Sequence, residues 1–149
     1  MKKKTLICVT FLLVFVGMQV SCKERSEAEE IPFTEYSLIE TGCNWINFKL
    51  DKVYLINSKQ TLLEYIACDS GNIPIIDFDN YSLIFASAYV PGGIAEVDKT
   101  LSKIGNQYFL EANVLLDYTG IAGQQMFISI LVNKLNTKNN IELNIITKR

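Results

Sequence analysis

The chain of 149 residues contains no histidine. A Ser-His-Asp or Cys-His nucleophilic site therefore cannot be built, and the usual zinc ligand sets are out of reach. No G-x-x-x-x-G-K or G-x-G-x-x-G segment occurs, which removes the usual glycine loops that cradle phosphates. Basic side chains do not outnumber acidic ones (14 against 16), so the electrostatic footprint of a nucleic-acid binder is missing. Tryptophan occurs once, at Trp45, leaving little material for an exposed aromatic platform. The one long apolar run, Leu6 to Val16, is shorter than the roughly 20 residues needed to span a bilayer.

What is present begins at the N-terminus. Met1-Lys2-Lys3-Lys4, the apolar run and Gly17-Met18-Gln19-Val20-Ser21-Cys22 follow one another in the order of a secretory signal. A small residue directly before a cysteine resembles the lipobox of bacterial lipoproteins, although Gln19 stands where an aliphatic residue is usual. The resemblance implies lipidation at Cys22, with acyl chains such as palmitate, and removal of residues 1–21. Residues 22–30, Cys-Lys-Glu-Arg-Ser-Glu-Ala-Glu-Glu, have nothing to bury and read as a charged tether. Lys23-Glu24 behind the cysteine also resembles the export signal of Bacteroidota-type surface lipoproteins. This implies lipid anchoring at the outer membrane, with the cell surface favoured over the periplasmic face. Loss of Lys2, Lys3 and Lys4 leaves 11 basic against 16 acidic side chains, a formal charge of −5.

Residues 31–149 have the length of one domain and ample Ile, Leu, Val, Phe and Tyr for a core. With Cys8 in the signal and Cys22 lipidated, Cys43 and Cys68 are the only cysteines left to pair within an exported domain. Two separately buried thiols are the alternative.

Asp51 to Ile56 reads as a strand. Asn57 to Gln60 then reads as a capping box that opens a helix over about 58–67, with Leu62, Leu63 and Ile66 on one face. Asp69-Ser70-Gly71-Asn72 is a turn. Leu83 to Val90 is almost continuously apolar, as expected of a strand covered on both faces. Tyr108, Leu110, Ala112, Val114, Leu116 and Tyr118 alternate with polar residues, the period of a half-buried strand. Met126, Ile128, Ile130 and Val132 repeat that pattern, as do Ile141, Leu143 and Ile145. The expected fold is α+β, a curved antiparallel sheet of about six strands packed with one short helix.

Were the strands from Tyr81 onward a meander, Pro91-Gly92-Gly93 and residues 119–124 would share one end of the sheet, flanked by Tyr89 and Tyr118. Tyr89, Pro91, Gly92, Gly93, Tyr118, Gly120, Gly123 and Gln124 are thus the candidate partner-binding residues, because loops on a rigid scaffold commonly carry function. The plainer reading of Pro91-Gly92-Gly93 is a hairpin turn. Asp77, Asp79 and Asn80 have the ligand types for a calcium site, and the two acids could form a catalytic pair, but their spacing fits turn capping.

The order of these pieces resembles the PrcB-type family, exported C-terminal domains of protease complexes. The strand before Ile56-Asn57-Ser58, the helix with Leu62-Leu63-Glu64-Tyr65, and Ile76-Asp77-Phe78 leading into Tyr81-Ser82-Leu83-Ile84-Phe85-Ala86 and a Gly-Gly loop carry the likeness, over about residues 53–148. The resemblance implies a non-catalytic module that holds or modulates another exported protein, such as a protease, and it supplies no catalytic residue. No cofactor and no metal are expected. A glycan- or small-molecule-binding lipoprotein is the alternative function.

Overall fold

A computed structural model describes residues 27–39, 41–69, 73–117, 122–136 and 138–149. The signal segment, Cys22, Tyr118 and Gly120 lie outside the described residues, as do Ser70, Gly71 and Asn72 of the expected turn. In chain order the elements are β1 (Glu29–Glu30), β2 (Thr34–Glu35), β3 (Cys43–Trp45), β4 (Lys52–Ile56), α1 (Lys59–Tyr65) and β5 (Ile66–Cys68). They are followed by β6 (Tyr81–Val90), β7 (Gly93–Ile104), β8 (Gln107–Asp117), β9 (Gln124–Asn133) and β10 (Asn140–Lys148).

Among the described residues the domain is mostly sheet with one short helix, and all strand pairs except β8–β10 are antiparallel. The single curved sheet expected from the sequence is replaced by several sheets. An outer sheet has the order β1-β7-β8-β10, a middle sheet β2-β9-β6-β4, and β3 pairs with β5 in a small ribbon.

Side-chain alternation explains the layering. On β8, Tyr108, Leu110, Ala112, Val114 and Leu116 point inward while Glu111 and Asn113 point out, so this strand has one face to bury. On β6 both faces are apolar. Ile84, Ala86, Ala88 and Val90 meet the outer sheet, whereas Leu83 and Phe85 join a second cluster with Ile56, Leu62 and Ile66. A strand apolar on both faces has to lie between two layers, and β6 is therefore central.

The expected meander does not form. β6 and β7 are consecutive but belong to different sheets, and Pro91-Gly92 carries the chain across instead of closing a hairpin. β8 likewise hands over to β9 in the middle sheet, and β10 returns to the outer sheet beside β8. Because β9 runs the opposite way between them, β8 and β10 are parallel.

Three further local expectations are corrected. The helix is capped by Ser58, whose Oγ accepts from the Thr61 N–H at 3.1 Å. Asn57 instead donates to the Leu135 carbonyl at 3.1 Å and accepts from Ser82 Oγ, tying the helix start to the end of β9. The helix also stops at Tyr65: Ile66 is extended and pairs with Trp45. Glu29–Glu30, read as tether, pair with Lys103 and Ser102 at the edge of the outer sheet.

Cys43 and Cys68 face each other across β3 and β5 and are disulfide-bonded. The ribbon and α1 form a cap over part of the middle sheet, with Trp45 stacked on buried Phe85 (3.9 Å between centroids, 13° between planes).

Candidate functional site

The cap does not cover the whole middle sheet. Its apolar footing is Leu83, Phe85, Ile56 and Leu131, which lie toward the start of β6. Toward the end of β6 the same face changes character to Ser87 and Tyr89, opposite Phe127 and Gln125 of β9. Ser87 itself is fully buried, but Tyr89, Gln125 and Phe127 stay exposed, so this part of the face lacks a full cover.

Tyr89 is 57% exposed and Phe127 45% exposed. Gln125, exposed between them, donates from Nε2 to Ser87 Oγ at 2.8 Å, which fixes its amide on the sheet surface. Phe127 is held from one side by Phe48, edge-on at 5.3 Å, which in turn meets Phe85 at 5.7 Å. The result is a flat surface of aromatic and amide groups on a backbone locked by the β6–β9 ladder.

Of the loop residues singled out in the sequence, the described ones fall at this end of the sandwich. Val90 faces Gln124 and Gly93 faces Asp117, which brings the two connections together although no meander joins them. Gly123 lies against Tyr89: a Cβ there would overlap the Tyr89 ring and the Val90 carbonyl oxygen. Pro91 is exposed. Gly92 and Gly93, however, are buried and offer a partner no surface, since the corner between two packed sheets draws them inward. Sequence reasoning, which carries the candidate end from Tyr118 to Gln125, misses Phe127 because the alternation of β9 points first to its inward residues. An apolar Phe127 out of phase with Met126 and Ile128 is the signal that could have found it.

Asp77, Asp79 and Asn80 form a capped turn. Asp77 Oδ1 accepts from the Asp79 N–H at 3.1 Å and the Asn80 N–H at 3.4 Å, and Oδ2 accepts from Asn80 Nδ2 at 2.8 Å. The Asn80 side-chain bond foremost, with those two N–H groups and the Lys134 ammonium, holds the Asp77 carboxyl below its usual range against a smaller opposing desolvation. Lys134 Nζ donates to the carbonyls of Asn57 and Phe78, closing the turn onto the end of β9. Among the described residues, no three His, Cys, Asp or Glu side chains stand close enough to hold a metal ion.

One small cleft of about 80 Å³ lies between Lys59, Ile73, Pro74, Ile75, Ile76 and Phe78. That is well below the roughly 300 Å³ at which pockets begin to enclose drug-sized ligands. Trp45 is half-buried, with one face of its ring spent on Phe85. Comparison of the chain with protein-family models, curated proteins and solved structures found no match.

Proposed function

We propose that this chain is an exported lipoprotein, anchored through Cys22, whose domain is a non-catalytic module that holds another exported protein. The observation that carries the reading is the open part of the middle sheet, where Tyr89 and Phe127 flank the fixed amide of Gln125. Exposed aromatics on a rigid, flat backbone provide contact area with few rotatable bonds, the pattern of protein contact surfaces. Pro91 and Gly123 lie at the edge of that surface, next to Tyr89. An accessory or protease-modulating role of the PrcB type agrees with such a surface. Glycan or small-molecule binding has less support, because the sole tryptophan is stacked on the core and the cleft is small.

The test is photo-crosslinking from this surface in intact cells. A photoreactive residue at position 89 or 127 is expected to trap one specific exported protein, while the same residue at Thr100, on the outer sheet, traps none. The mature domain with Tyr89→Ala and Phe127→Ala should keep its circular dichroism and lose capture of that protein. Full capture by the folded double variant would end the proposal.

A further inference from the structure

The register of the first strand fixes which end of the sandwich the anchor reaches. Glu29 pairs with Lys103 and Glu30 with Ser102, antiparallel, and the Ile31 N–H donates to the Leu101 carbonyl at 2.8 Å. The first strand therefore runs along β7 away from the turn at Gly105-Asn106, and the chain before Glu29 leads back toward that turn. Tyr89, Pro91 and Gln124 sit at the other end, because Val90 faces Gln124 and Gly93 faces Asp117. Ten residues of β7 separate Gly93 from Lys103, a distance of about 33 Å at roughly 3.3 Å per residue.

Cys22 stands seven residues before Glu29, and seven residues reach at most about 25 Å when fully extended. An upside-down domain, with its Tyr89 end on the bilayer, would need the tether to span about 33 Å, more than its full length. Lying down on the outer sheet is opposed by charge. Glu96, Asp98, Glu111 and Glu142 occupy the outward side of that sheet and would face lipid phosphates.

We infer that the domain stands on the bilayer by its β7–β8 turn and presents the Tyr89, Gln125 and Phe127 surface at the membrane-distal end. This inference rests on lipidation at Cys22. The surface then meets a partner whose contact region projects into the aqueous space tens of ångströms from the bilayer, not lipid or a membrane-embedded segment.

The experiment uses the full lipidated protein in phosphatidylcholine vesicles containing a lipid with a spin-labelled headgroup. A fluorophore is placed at Asn106→Cys, at Pro91→Cys or at Ala122→Cys, all exposed positions. Cys43 and Cys68 are bonded to each other, so the introduced thiol is the one that labels. Quenching at 106 is expected to exceed that at 91 and 122 severalfold, and the last two variants check each other for local disturbance. Equal quenching, or stronger quenching at 91 and 122, on vesicle-bound protein would overturn the orientation alone. A wild-type protein that fails to float with vesicles, or a Cys22→Ser protein that floats as well as wild type, would overturn the anchor and this orientation with it.

Discussion

The outer and middle sheets are built from strands of similar length but different wording. Along β8 and β10, apolar residues alternate with Glu111, Asn113, Glu142 and Asn144, and one face remains in water. In the middle sheet, β6 is buried from Ser82 to Ala88 without interruption. A sheet with one apolar face needs one neighbour, whereas a sheet apolar on both needs two. The middle sheet finds its second neighbour in the α1 and β3–β5 cap, and toward the end of that face, at Tyr89, Gln125 and Phe127, the cap ends and the candidate surface begins. Site and core are thus two parts of one face.

The sharpest way to break this comparison is to cut the contact on which the cap rests. Phe85 is fully buried beneath Trp45, Phe48 and Tyr54. Phe85→Ala is expected to cost about 3–5 kcal/mol, the range for a large buried aromatic. Leu115→Ala, on the open side of the outer sheet and 41% exposed, should cost under about 1 kcal/mol. Urea unfolding of the two variants checks the ranking, and similar losses would mean that the two sheets bear on stability alike.

Next in size is the disulfide. Opening the 25-residue loop between Cys43 and Cys68 with Cys43→Ala and Cys68→Ala should cost up to about 3.5 kcal/mol in the chain-entropy estimate. Hydrogen exchange should show the loss first in the ribbon and α1, with β7 and β8 least affected. Early loss of protection in the outer sheet would show that the cap and the sandwich unfold as one unit.

The smallest expected effect concerns Asp77, at the turn leading into β6. Its carboxyl is held below the usual aspartate range, so the folded state binds this proton less readily than the unfolded chain does. The stability it contributes is present above that range and is lost as pH falls through the lowered value. Asp77→Asn should flatten this acid limb of the stability profile and leave neutral-pH unfolding little changed. An unaltered acid limb in equilibrium unfolding would remove Asp77 from the account.

Local chemistry made much of this fold readable. Period-two alternation located the starts of β8, β9 and β10 to within two residues, and the unbroken apolar run of β6 announced a doubly covered strand before any layer was known. Elimination named Cys43 and Cys68 as the candidates to pair and left two buried thiols as the alternative; the register of β3 on β5 decided for the bond. The short strands β1, β2, β3 and β5 carry two or three residues each, too few for any periodicity to register. Ile66 suits the apolar face of a helix and a strand equally; its pairing with Trp45 chose the strand.

For the candidate site, the sequence by itself determined that residues 91–93 and 119–124 are glycine-bearing connections and that Tyr89 stands beside one of them. Tertiary structure alone decided that Gly92 and Gly93 turn inward, and that Phe127 joins Tyr89 and Gln125 on one face. It also decided that β8 and β10 run parallel. The physical reason is range. Alternation and turn chemistry act between neighbours in the chain, while the choice of pairing partner and of which face finds a cover depends on residues dozens of positions away, whose contacts exist only once the layers have packed.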